Sequence, residues 1–251
     1  MVKTALITGA TSGIGKATAE LFAEKGFRLI LCGRRTERLQ KLKEELGGDT
    51  QIHILSFDVR DRKAVFDAIG SIPSDFSKID ILINNAGNAY GLDPIDKGNM
   101  DDWDAMLDIN VKGLLYVSKA VIPQMVERKS GHIINIGSIA GKEVYPKGNV
   151  YCASKYAVDA LNQSMRIDLN PYGIRVGAVN PGAAETEFSN VRFKGDDERA
   201  DNVYKGFEPL NPMDIAETIL FLVTRPPHVN IADLVVTPTA QASATIWNKS
   251  L

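Results

Sequence analysis

The chain has 251 residues, 44% hydrophobic and 24% charged, a composition that supports a sizeable core and excludes a disordered protein. Its 29 Lys and Arg against 31 Asp and Glu give a formal net charge of -2, so the global basic excess that drives nucleic-acid binding is missing and any anion site is local. No window holds the roughly 18 apolar residues a membrane span needs, and the two cysteines, Cys32 and Cys152, make neither a disulfide framework nor a metal cluster.

From Met1 the chain passes at once into an apolar, strand-like run, without the long apolar stretch and cleavage site of a secretory signal. The expectation is a soluble protein of a reducing cytoplasm. Strand-like runs at 4–8, 28–32, 52–57, 79–83, 132–136, 175–179 and 234–237 alternate with helical patterns at 13–25, 37–46, 62–69, 100–128, 150–170 and 213–223. That alternation predicts crossover units on a parallel sheet. Ile81-Leu82-Ile83 and Ile133-Ile134 are continuous apolar runs, as strands buried on both faces require, so helices are expected on both sides. The whole of 1–251 reads as one domain.

Directly after the first strand comes Thr8-Gly9-Ala10-Thr11-Ser12-Gly13-Ile14-Gly15, opening a helix. Glycines there let the backbone turn and approach a pyrophosphate, and the helix N-terminus offers free N–H groups. A P-loop is excluded: Ala10 stands where its first glycine belongs, and Ala17 follows Lys16 in place of the Mg-binding hydroxyl. A glycine-rich turn can also be no more than a tight junction, but this one lies at the carboxyl end of a central strand, where dinucleotides bind. Sites for NAD carry an acid after the second strand; here Gly33-Arg34-Arg35 stands instead. Arginines at a helix start oppose its dipole, and a 2′-phosphate gripped by guanidinium explains them, which points to NADP.

Further along, Tyr151 and Lys155 are four apart on a predicted helix and share a face. A nearby ammonium favours the phenolate and pulls a tyrosine down from about 10, so Tyr151 is expected to exchange a proton with a substrate oxygen. Ser138, after the fifth strand, is expected to hydrogen-bond that oxygen. Gly137-Ser138-Ile139-Ala140-Gly141 is not a hydrolase elbow, because the serine comes one place too early. The three histidines, His53, His132 and His228, lie in or near strands and suggest no metal site. The polar stretch 190–201 breaks the alternation and reads as an inserted substrate lid, with an ordinary solvated loop as the other reading.

Together, Gly9 to Gly15, Asn84-Asn85-Ala86-Gly87, Asn110, Ser138, Tyr151-Cys152-Ala153-Ser154-Lys155 and Pro181-Gly182 resemble the short-chain dehydrogenases/reductases, in order and over nearly the whole chain. The resemblance implies an α/β, doubly wound Rossmann fold with a seven-stranded parallel sheet in the order 3-2-1-4-5-6-7. It implies a catalytic tetrad of Asn110, Ser138, Tyr151 and Lys155, with Lys155 also on the nicotinamide ribose and a relay water near Asn110. Gly9, Thr11, Ser12, Gly13, Ile14 and Gly15 would cradle NADP, Arg34 and Arg35 would take its 2′-phosphate, and Asp58 and Val59 would touch adenine. Asn85, Ala86 and Gly87 would form the floor, and Pro181, Gly182 and Thr186 would lie beside the nicotinamide. A homotetramer through the two long middle helices is the family's usual assembly.

Residues 187–196, with Gly33-Arg34-Arg35 and His228-Val229-Asn230-Ile231, are similar to the NADP-dependent 3-hydroxy acid dehydrogenases, which act on serine, allo-threonine and related acids or semialdehydes. This chain has Asn180-Pro181-Gly182 where that branch often has Glu-Pro-Gly. The lid is placed at 186–210, with Arg192 expected either to meet a substrate carboxylate beside Ser138 and Tyr151 or to face solvent. Two rivals remain: a reductase of neutral ketones or diketones using the same tetrad, and a non-catalytic NADP-binding regulator, for which Tyr151 would have no use.

Overall fold

In the computed structural model, which describes residues 2–48 and 50–250, seven short apolar runs form strands. They are β1 (Thr4–Thr8), β2 (Arg28–Gly33), β3 (Ile52–Ser56), β4 (Ile81–Asn84), β5 (His132–Ile136), β6 (Arg175–Pro181) and β7 (Asp233–Val236). All pair in parallel in the order β3-β2-β1-β4-β5-β6-β7, as the sequence resemblance implied. The one-domain reading over 1–251 also takes in Met1, Asp49 and Leu251, which lie outside the described residues, as do the side chains of Ala200 and Asp201 within the proposed lid.

Side chains alternate across the strands, so the central strands feed two cores, while edge strand β7 packs only Leu234 and Val236 into the first and leaves Val235 exposed. Ala5, Ile7, Leu29, Leu31 and Ile83 pack with Phe22 of α1 (Gly13–Glu24), Leu39 and Leu42 of α2 (Thr36–Glu45) and Ile215 and Ile219 of α9 (Pro212–Val223). On the other face Leu6, Ile30, Leu82 and Ile133 pack with Val65 of α3 (Arg62–Gly70), Val117 and Val121 of α5 (Leu114–Arg128) and Met165 of α6 (Asn149–Leu169). The sheet is covered on both sides, which the apolar runs predicted. Among the described residues no helix is long and apolar enough to cross a membrane.

Three expectations shift on contact with the structure. β4 begins at Ile81, not at 79, because the Ile79 amide is held by the Gln124 side chain at 3.0 Å and by Ser77 at 3.1 Å. The strand instead runs on to Asn84, paired with Asn135 of β5. The helix expected over 100–128 is α4 (Met100–Leu107) and α5 joined by a wider π-type turn, Asp108–Gly113. The stretch expected to be a lid or loop carries α7 (Phe188–Arg192) and α8 (Asp197–Val203); their short, polar sequences show no long apolar period that could have announced them.

Candidate active site

The loop after β1 is built from steric exceptions. Gly9 has φ +66° and Gly13 φ +50°, the left-handed region that glycine enters freely. A β-carbon on Gly15 would stand 2.3 Å from the Gly9 carbonyl oxygen, so this position admits no side chain. Thr8 and Asn85 lock the loop to the end of β4. The Asn85 and Ala86 amides each donate to Thr8 Oγ1 at 3.0 Å, and Asn85 Nδ2 donates to the Thr8 carbonyl at 2.9 Å.

These elements frame a cleft of about 320 Å³ at the carboxyl ends of the central strands. Apart from Gly15, Asn110 and Arg192, every site residue read from the sequence lines it. Gly9 and Thr11 to Ile14 form one rim, Arg34, Arg35, Asp58 and Val59 one end, Asn85 to Gly87 the floor, and Ser138, Tyr151, Lys155, Pro181, Gly182 and Thr186 the other end and wall. Gly15 packs behind the loop.

At the β2 end, Arg35 lies over the glycine loop, with Nη2 donating to Thr11 Oγ1 at 2.9 Å and to Ser12 Oγ at 3.1 Å. Arg34 faces Asp58 at 3.5 Å, and Asp58 is gripped more closely by Arg60 at 2.7 Å. Burial alone would raise the Asp58 carboxyl, but the Arg60 hydrogen bonds and charge, with Arg34, hold it below its ordinary value. Sequence reasoning missed Glu187 and Arg38: Glu187 bonds Arg35 at 3.3 Å and Arg38 at 2.9 Å. Nothing local links residues so far apart in the chain. The structure fits the cofactor expected here. Its glycines let the loop pack closely on Asn85, Ala86 and Thr186 along the cleft, and guanidiniums stand where an NAD site carries an acid.

On the opposite wall α6 presents Tyr151 and Lys155 on one face, 8% and 7% exposed, with Ser138 beside them at the end of β5. Lys155 Nζ donates to the Ile136 carbonyl at 3.0 Å and lies 6.0 Å from the Tyr151 ring centre. Burial pushes Lys155 down to about 8. The expectation that this ammonium lowers the phenol is not met in the chain by itself: burial, aided by Tyr145, pushes Tyr151 up, with Ser138 and Arg192 pulling only partly back. Asn110, in the π-type turn, is buried behind the floor. Its Oδ1 accepts from the Asn88 amide at 2.8 Å, and its Nδ2 donates to the Asn88 carbonyl at 2.8 Å and to Ser154 Oγ at 3.0 Å. A β-carbon on Gly87 would be 3.1 Å from Asn110 Oδ1 and 3.6 Å from Lys155 Nζ, so floor, turn and α6 converge at one point.

The segment after β6 closes over Tyr151. Arg192, at the end of α7, puts its guanidinium carbon 5.5 Å from the Tyr151 ring centre and 5.7 Å from that of Tyr145. Its Nη1 donates to the Tyr145 hydroxyl at 3.1 Å and its Nε to the Gly91 carbonyl at 3.0 Å. Lys194 reaches Asp102 at 2.9 Å, and the Tyr151 and Phe188 rings lie 5.6 Å apart. The Arg192 side chain thus turns toward Tyr145, Tyr151 and Gly91. Tyr145, which orients the guanidinium, carried no signal in the sequence.

The short chain dehydrogenase family profile matches residues 3–197. A protein of Escherichia coli (strain CFT073), an NADP-dependent 3-hydroxy acid dehydrogenase, is 47% identical over 240 residues, which is 95% of this chain and 96% of that protein. Sulfoacetaldehyde reductase 2 of Chromohalobacter salexigens is 46% identical over 238 residues, 94% of each. Among solved structures, the closed form of serine dehydrogenase complexed with NADP+ superposes with a TM-score of 0.94 at 45% identity, covering 97% of this chain and 98% of that one.

Proposed function

This chain belongs to the short chain dehydrogenase family, and from that premise we propose that it is an NADP-dependent oxidoreductase acting on the 3-hydroxyl or 3-oxo carbon of a small hydroxy acid of the serine, allo-threonine or 3-hydroxypropionate type. The observation that carries the substrate class is the Arg192 guanidinium held 5.5 Å from the ring of the buried Tyr151. A half-buried cation beside a proton-exchanging phenol suits a substrate whose carboxylate is a short step from the reacting carbon. A neutral ketone would leave that cation with only its neutral partners, Tyr145 and the Gly91 carbonyl, and bring it no counter-charge.

Gly9 to Gly15, Arg34, Arg35, Asp58, Val59, Asn85 to Gly87, Tyr151, Lys155, Pro181, Gly182 and Thr186 would hold NADP, which when bound supplies the hydride acceptor or donor. Tyr151 gives its proton to a substrate carbonyl oxygen, or takes one from a hydroxyl, and Ser138 orients that oxygen by a hydrogen bond. Lys155 stabilises the phenolate as it forms and would bind the nicotinamide ribose, and Asn110 supports proton exchange with solvent through the convergence at Gly87. A phenol raised by burial starts protonated, which favours donation to a carbonyl; oxidation needs the phenolate and gains from higher pH. Residues 186–210 act as the lid of one NADP-binding domain. Two buried thiols, Cys32 and Cys152, suit a reducing cytoplasm. Exposed Leu115, Tyr156 and Ile167 on α5 and α6 support a homotetramer built on those helices.

The test pairs substrates. Arg192→Ala is expected to raise KM for 3-hydroxy acids by about 10- to 100-fold, the loss of charge-assisted hydrogen bonds, and to change KM for a neutral ketone only a few-fold. Equal effects on the two would remove the carboxylate reading.

A further inference from the structure

Three guanidiniums, those of Arg34, Arg35 and Arg38, crowd the end of β2 and the start of α2, and two carboxylates answer them. Asp58 serves Arg34, and it is shared with Arg60. Glu187 serves Arg35 and Arg38, taking two bonds from Arg38 Nη1, at 2.9 and 3.1 Å. These side chains are about half exposed, so their pairing is adjustable rather than locked.

Arg35 is the pivot of the cluster. The same guanidinium bonds the glycine loop through Thr11 and Ser12 and bonds Glu187, which follows Thr186 of the cleft wall and precedes α7. A phosphate arriving at Arg35 therefore meets a carboxylate already using that cation. A dinucleotide with a 2′-hydroxyl brings no second anion and leaves the pair intact.

We infer that Glu187 is a built-in counter-anion at the 2′-phosphate end of the cleft, which neutralises Arg35 and Arg38 when no phosphate is present and so holds down the preference for NADP over NAD. The inference rests on the reading of Arg34 and Arg35 as the 2′-phosphate grip. With NADP, the phosphate and Glu187 divide the guanidiniums between them, the carboxylate keeping Arg38, and their mutual repulsion offsets part of the phosphate's attraction. With NAD, Glu187 spares the site two unpaired cations. Removing its charge while keeping its shape, as in Glu187→Gln, strengthens the grip on the phosphate and leaves NAD nearly unaffected.

Calorimetric titration of the full chain with NADP, NAD, adenosine 2′,5′-bisphosphate and adenosine 5′-monophosphate tests this without any turnover. In Glu187→Gln the ratio of the NAD to the NADP dissociation constant is expected to rise about 3- to 10-fold, a size suited to half-exposed charges. The same change is expected between the two fragments, which lack nicotinamide, and it should shrink in about 0.5 M salt. A Glu187 that merely pins α7 would instead shift both dinucleotides equally and leave the fragments unchanged; that result, or no change at all, overturns the inference. Arg35→Ala separates the two levels. If it lowers the ratio at least tenfold and Glu187→Gln does nothing, the grip stands and the counter-anion is rejected; if Arg34→Ala and Arg35→Ala both leave the ratio unchanged, the grip itself has failed, and the inference with it.

Discussion

Burial acts in opposite directions on the two side chains proposed to manage the proton. It raises the Tyr151 phenol and lowers the Lys155 amine to about 8, because in each case the low-dielectric wall disfavours the charged form. Four residues of spacing on α6 bring them to one face, but the Lys155 amine turns to the Ile136 carbonyl rather than to the phenol. The tyrosine is thus poised as an acid until other groups enter the cleft. Tyr151→Phe keeps the ring against Phe188 and Arg192 and deletes only the transferable proton. It is expected to lower kcat by about 10²- to 10⁴-fold while the NADP dissociation constant, followed by fluorescence titration, stays within about twofold. A variant that retains most of its turnover would remove Tyr151 from the proton path.

At the scale of elements, the site is made where strands hand over to helices. The β1–α1 loop tolerates no side chain at Gly15, whose β-carbon would fall 2.3 Å from the Gly9 oxygen and 2.4 Å from Asn85 Nδ2. Neither obstacle is the free end of a flexible chain, so Gly15→Ala must push the loop off the floor. The expected outcome in thermal melts is a loss of about 1–3 kcal/mol, together with a smaller rise in Tm on adding saturating NADP than the parent shows. An undiminished rise would mean that the loop does not hold the cofactor. The α4–α5 junction makes a related point. Its wider turn bends around Asn110, whose side chain satisfies both backbone groups of Asn88, and such turns inside helices often mark functional positions.

Across the whole molecule, one buried histidine is expected to make stability fall with acid. His132, at the start of β5, is buried with neither ring nitrogen hydrogen-bonded among the described residues, and burial, with the charges of Arg175 and Lys3, pushes it down to about 3. The folded chain therefore binds fewer protons than the unfolded one, in which histidine titrates near 6.5. Its contribution to stability is complete above that value and is lost as pH falls toward 3. By pH 5 the loss is about 2 kcal/mol, or a drop in Tm of roughly 4–8 °C from this group. Scanning calorimetry of His132→Leu should show a correspondingly shallower decline between pH 8 and pH 5; parallel curves would assign the acid lability elsewhere. The sequence by itself determined the strand order's raw material and most of the cleft lining. Apolar runs, glycine spacing and the four-residue step from Tyr151 to Lys155 are local patterns that the backbone period converts directly into position. Tertiary structure alone decided the rest. Glu187 meets Arg35 across 152 residues, Tyr145 orients Arg192, and the π-type turn seats Asn110. Even the direction of the Tyr151 shift was decided there, because desolvation sums over every element packed around a group and no local window contains that sum.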